Sequence, residues 1–195
     1  MSKVDFAAMR AAMVASQLRT SDVNDPAVIA AMASVAREEF VPTARRDTCY
    51  IDRPIPLADG GAMNPPLATG RLLTAAQITA GEKVLLLGDS TGYTAALLAA
   101  MGVDVVAVKA SPAKGDARRA PYDVIVIDGA IDAFPAELGT QLAEGGRVVT
   151  GLLERGVTRL ARGQKVGGKL GFVTLADMEM VRVQGLEAEK AGFVF

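Results

Sequence analysis

"VLLLGDSTGYTAALLAAMG", Val84 to Gly102, is the stretch that decides the fold. Val84–Leu87 are apolar without a break, which suits a strand buried on both faces. Gly88 and Gly92 bracket a tight turn, Tyr93 opens the next element, and Ala95–Met101 read as a helix of small and apolar residues. Strand, glycine turn and helix in this order mark the place where an open α/β sheet receives a ligand. Glycine there permits positive φ and close approach of a ligand to the backbone. The turn reads Gly-Asp-Ser-Thr-Gly, so Ser90 stands where such loops commonly carry a middle glycine. A G-x-x-x-G turn is equally compatible with plain turn chemistry.

Strand–helix alternation continues downstream. Strands are expected at 83–88, 104–110, 122–130 and 145–153, with helices at 95–101 and 135–143. Largely apolar strands separated by helices predict a parallel sheet covered on both faces. "LGFVTLAD" (170–177) and "MEMVRVQ" (178–184) are expected as two antiparallel strands closing one edge. Asp128 ends the "YDVIVID" strand in the same layer as the Gly88 turn. Asp132 follows it as a second carboxylate, and strand-end aspartates often only cap a turn.

Upstream, Phe6, Met9, Met13, Val14 and Leu18 recur at helical spacing. Asp25-Pro26 offers an N-cap and a proline at the first helical position, with Val28, Ile29, Met32 and Val35 continuing one face to "FVP" at 40–42. Residues 49–67 are loop-like, and "LATGRLLTAAQI" (67–78) forms a helix. The chain therefore reads as a single domain over 1–195. A helical cap and loop occupy 1–80, and the sheet core occupies 81–195.

Composition narrows the chemistry. The 195 residues contain no histidine and one cysteine, Cys49, which excludes an internal disulfide, Ser-His-Asp and Cys-His systems and a histidine or zinc-cluster metal site. A net charge of −1 with interspersed signs predicts neither nucleic-acid nor membrane binding. No apolar run has the length of a membrane span, and a cytoplasmic protein is expected. Cys49 is expected buried and inert, Tyr93 a packing residue, and Lys114, Arg118 and Arg119 a solvated basic loop.

Four phrases resemble the protein-L-isoaspartate O-methyltransferases: 13–42 ("MVASQLRTSDVNDPAVIAAMASVAREEFVP"), "YIDRPIPL" (50–57), "VLLLGDSTGYTAALLA" (84–99) and 120–149, which contains "PAELGTQLAEGGR". The resemblance spans residues 9 to 151. It implies a Rossmann-like S-adenosylmethionine methyltransferase fold with an N-terminal helical cap. It also implies S-adenosylmethionine-dependent methylation of isoaspartyl carboxyl groups in protein repair, with an isoaspartyl protein or peptide as partner. By the same resemblance Gly88, Asp89, Ser90, Gly92, Lys109 and Asp128 fall at the cofactor, and Asn64 in the substrate loop as the catalytic-site residue.

The departures from that pattern lie at the same places. Ala62, Asn64 and Pro65 stand where the family's substrate loop carries threonine, serine and glutamine; Leu86 replaces its strand acid and Ser90 its loop glycine. Lys109 stands where an acid should accept hydrogen bonds from the ribose hydroxyls, and an ammonium accepts none. Only residues 110–121 separate that strand from the next, with two prolines, three basic side chains and no bulky apolar residue. A helix, strand and return loop need about thirty residues or more, so one edge strand–helix unit is expected to be missing. The expectation is a methyltransferase with a degenerate cofactor site, or a non-catalytic descendant that serves as a binding or scaffold module. A third reading has Lys109 and the basic loop favouring a phosphorylated nucleotide.

Overall fold

The computed structural model describes residues 4–187. The N-terminal cap starts with α1 (Phe6–Met13), whose end passes into one turn of π-helix at Val14–Leu18. In α2 (Pro26–Ser34) the Asp25 carboxylate accepts from the N–H groups of Ala27 at 2.8 Å and Val28 at 3.2 Å, as the N-cap reading requires. That helix stops earlier than the "FVP" phrase suggested. Val35 is extended, and Arg37–Phe40 form a separate 3₁₀ turn. Within the proline-rich loop, β1 (Ile55–Pro56) and β2 (Ala62–Met63) pair as a short hairpin, followed by α3 (Pro66–Ala76).

The core then runs β3 (Lys83–Leu87), α4 (Tyr93–Ala100), β4 (Asp104–Val108), β5 (Tyr122–Ile131), α5 (Ala136–Gln141), β6 (Leu142–Glu154), β7 (Val157–Val166) and β8 (Lys169–Asp177). The six long strands form one sheet in the order β4-β3-β5-β6-β7-β8. The first four are parallel; β7 and β8 add antiparallel. This is the α/β Rossmann-like architecture with an N-terminal helical cap. Between Val108 and Tyr122 the described chain makes only 3₁₀ turns, Pro112–Lys114 and Ala117–Arg119, so β4 is the sheet edge and no further strand–helix unit flanks it.

The tail differs from expectation. The partner of Lys169–Asp177 is Val157–Val166, a strand whose Arg159, Arg162, Gln164 and Lys165 masked it in the sequence. "MEMVRVQ" is not a strand of the sheet. It crosses the carboxyl end of β5 with one parallel bridge, Ala130 to Arg182. Its backbone polar groups find partners there, so a sheet position is not needed to satisfy them.

Two cores explain the unbroken apolar strands. Val84, Leu86, Val124 and Val126 pack toward α2, α3 and α4, while Leu85, Leu87, Ile125 and Ile127 pack toward Leu138 of α5 and Tyr122. Because successive side chains point to opposite faces, a strand covered on both faces has no position left for a polar residue. Leu86, 1% exposed, is such a core residue. No helix among the described residues is long and apolar enough to cross a membrane. β4 and β5 flank β3 on opposite sides, so the chain reverses its direction of winding at the end of β3. A crevice opens there, beside Gly88.

Candidate functional site

The turn after β3 is built around Asp89. Its Oδ1 accepts from the Gly92 N–H and its Oδ2 from the Ala95 N–H, each at 2.8 Å. The first donors of α4 are thus met by a carboxylate supplied from within the loop, which complements the positive helix end. Gly88 and Gly92 both have positive φ, +80° and +89°, which a side chain rarely tolerates. Ser90 is exposed.

Asp128 lies behind this turn and is buried. Its Oδ2 accepts from the Thr94 hydroxyl at 2.6 Å and its Oδ1 from the Asn64 amide at 2.9 Å. Burial pushes its carboxyl up to about 6, helped by the charge of Asp89 and opposed by Thr94, Asn64 and the Arg37 charge. A carboxyl raised above its unfolded value stabilises the fold fully at low pH and loses that contribution as pH climbs through about 6. Asp128→Asn should therefore remove a loss of about 3 kcal/mol that the natural protein suffers between roughly pH 4 and 7. Urea unfolding of both proteins across that range measures it; parallel stability profiles would refute it.

Asn64 is only 2% exposed and engaged on every side. Besides the bond to Asp128, its Oδ1 accepts from the Val181 N–H at 2.9 Å, and its backbone carbonyl accepts from Arg37 Nη2. Arg37 is fully buried, with Nε donating to the Cys49 carbonyl at 2.8 Å and its guanidinium carbon 4.9 Å from the Tyr93 ring centroid. Burial lowers its pKa, and the nearby Tyr93, Cys49 and Asp128 oppose that shift. Tyr93 is 1% exposed and meets the Phe40 ring edge-on at 5.5 Å, a packing role as expected. Cys49 is buried and its thiol is pushed up to about 11 by that burial, which leaves it unreactive.

The tail roofs the crevice. The Ala130 N–H donates to the Val181 carbonyl at 2.7 Å, and the Val183 N–H donates to the Ala130 carbonyl at 2.9 Å. Val183 rests on Gly88 so closely that a Cβ there would lie 2.9 Å from its methyl group. Between roof and turn a cavity of about 210 Å³ remains, walled by Gly88, Asp89, Ser90, Lys109, Asp128 and Asp59. Five of the expected site residues thus line one space. Gly92 caps α4 beside it, and Asn64 stands behind Asp128. Lys109 is exposed at the outer wall, one residue beyond β4.

Asp132 lies elsewhere, in an ion pair with Arg182. Lys114, Arg118 and Arg119 are exposed, the two arginines turned toward Asp116 and Asp104. Sequence reasoning missed Arg37, Thr94, Asp59 and the roof. Thr94, second in its helix after a glycine turn, carried a positional hint; a single arginine within "VAREEF" carried none.

Comparisons with known proteins agree with this fold. The model of the family described as Protein-L-isoaspartate(D-aspartate) O-methyltransferase matches residues 9–110 and 102–187, two stretches that overlap across β4. A protein-L-isoaspartate O-methyltransferase of Koribacter versatilis is 34% identical over 205 residues, spanning 92% of this chain and 92% of that protein. Protein-L-isoaspartate O-methyltransferase 1 of Rhodopseudomonas palustris is 38% identical over 169 residues, 74% of this chain and 69% of that one. Two solved structures share the fold. A protein-L-isoaspartate O-methyltransferase superposes with TM-score 0.76 at 21% identity, over 91% of this chain and 67% of that one. A Plasmodium falciparum structure titled as a putative enzyme of that name, in complex with S-adenosyl-L-homocysteine, gives 0.73 at 16% identity, over 94% of this chain and all of that one. On sequence and fold together, the chain belongs to the protein-L-isoaspartate O-methyltransferase family.

Proposed function

We propose that this protein is a methyltransferase of the isoaspartyl-repair type whose S-adenosylmethionine site has been weakened. The observation that carries this is Lys109, a cation at the end of the second parallel strand of the chain, on a sheet edge with no further unit beside it among the described residues. A ribose diol needs acceptors, and an ammonium has three donors and none. The rest of the site fits the cofactor in part. Gly88, Gly92 and Asp89 form the turn that would face its methionine end, but Asp89 is spent on the helix donors and Val183 leans on Gly88. The cavity of about 210 Å³ is below the roughly 300–1,000 Å³ of ordinary ligand sites.

Activity of this type does not need the missing histidine. An isoaspartyl carboxylate is already a nucleophile, and S-adenosylmethionine when bound supplies an already activated methyl group, so the protein's work is alignment. In this reading Asn64 and Asp128 hold the wall of the site, with Thr94 and Val181 as their anchors. Asp59, Asp89 and Asp128 share the cavity with Lys109 and with Arg182, which Asp132 already pairs, and this excess of carboxylates disfavours a phosphorylated ligand through like-charge repulsion.

Calorimetric titration with S-adenosylmethionine and S-adenosylhomocysteine, followed by an assay on an isoaspartyl peptide, tests the reading. Weak binding with slow methylation supports it. Affinity in the low micromolar range would show that the site is not weakened. No heat at millimolar ligand and no methylation would establish the non-catalytic module, the reading favoured by the internal engagement of Asp89 and Asn64.

A further inference from the structure

A groove runs along α3 on the side of the sheet that carries the helical cap. Near the start of the helix, Leu67 and Ala68 form one wall, and Met178 and Glu179 of the tail form the other. Farther along, Thr74 and Gln77 stand across from Leu160, Arg162 and Leu175 of β7 and β8. Arg71 lines both stretches and joins them. Both walls keep chain order, from Leu67 to Gln77 along the helix and from Glu179 back to Leu175 on the other side. That is what a single track between two elements requires.

The near end of this track abuts the crevice. Pro65 lines it, and the neighbouring Asn64 accepts from the Val181 N–H at 2.9 Å in the crevice wall. From Pro66 to Thr74 the helix rises about 12 Å. That is the span of about four extended residues. A polypeptide whose reacting residue sits at the crevice can lay the next few residues along α3.

Charge decides what the far half receives. The Arg71 side chain is 26% exposed and lies 3.8 Å from Asp22, whose own side chain is 84% exposed. Arg162 is half-buried and donates only to a neutral amide oxygen, Gln77 Oε1. Neither arginine has a hydrogen-bonded carboxylate among the described residues. Other arginines held against the protein do: Arg10 meets Glu38 at 3.0 Å, and Arg147 meets Glu82 at 2.7 Å. A guanidinium fork matches a carboxylate with paired, charge-assisted hydrogen bonds. The near half has the opposite sign. Asp52 and Glu179 line it and repel a carboxylate there, while Asp177 is turned to Arg159 at 3.0 Å.

Resting on the isoaspartyl-repair reading, we propose that this groove holds the polypeptide flanking the reacting residue. Arg71 and Arg162 select an acidic side chain about four positions away from it.

Fluorescence anisotropy of labelled, C-terminally amidated peptides with the full-length protein tests this. Each peptide carries one isoaspartyl residue and, about four positions to its amino or its carboxyl side, a glutamate or a lysine. In one of the two polarities the glutamate peptide should bind about tenfold tighter than the lysine peptide. Arg71→Glu and Arg162→Glu should each erase that preference. Together they should reverse it in favour of lysine, a gain that misfolding cannot produce. Asp22→Asn, which removes a competing carboxylate, should strengthen it. No binding, binding indifferent to glutamate or lysine in both polarities, or a preference that survives both arginine variants overturns the proposal. A matched set with ordinary aspartate separates the two readings. The same glutamate preference with no gain from isoaspartate upholds the groove and refutes the isoaspartyl function.

Discussion

Arg37→Ala is expected to destabilise the protein by about 3–5 kcal/mol, the sum of two buried carbonyls left unpaired at about 1–2 kcal/mol each and the cavity that truncation opens. Arg37 has no exposed surface, and its guanidinium donates to the carbonyls of Cys49 and Asn64 while lying over Tyr93. Truncation leaves two buried carbonyls unpaired and a cavity under the Tyr93 ring. Arg37→Met fills most of the volume without a charge to desolvate, so it should cost less than alanine. Urea unfolding monitored by circular dichroism gives both values. A loss under about 1 kcal/mol for Arg37→Ala would show that the carbonyls find other partners. The same arginine fixes the loop that carries Asn64, so a loosened loop should also weaken the hold of Asn64 on Asp128.

Lys109→Glu is expected to tighten S-adenosylmethionine binding by about tenfold, the effect of replacing three donors with a charged acceptor at an exposed wall. Removal of the ammonium alone, in Lys109→Ala, should give a smaller gain, because it supplies no acceptor. The two variants compared by calorimetry separate a repelled ligand from an unmet hydrogen bond. If neither changes the affinity, the open edge beyond β4 limits binding and Lys109 does not.

Both predictions concern residues that sequence reading treated very differently. Lys109 was visible because its position follows from counting: strand, turn, helix and strand place it at the end of the second parallel strand. The absent edge unit was visible for the same reason, since residues 110–121 cannot hold a helix and a strand. Asp25 as a cap and the unbroken apolar run of β3 were equally local signals. The β7 strand was hidden by its own polarity. Its two faces carry Arg159 and Arg162 out to ion pairs and hydrogen bonds that periodicity cannot foresee.

What the sequence determined by itself is the parallel core strands with the helices between them, and the chemical kind of each residue at the crevice. These depend on neighbours within one turn or one pleat, where side-chain spacing and backbone preference act directly. The tertiary structure alone decided which of those residues are still available to a ligand. Asn64 reaches Asp128 across 64 positions, Val181 reaches Asn64 across 117, and Thr94 reaches Asp128 across 34. Such contacts exist only once the sheet has brought the ends of its strands together. A buried polar group must then bond to whatever the fold has placed beside it. At this site those partners are the protein's own groups, and the wall they form leaves Lys109 facing the crevice mouth.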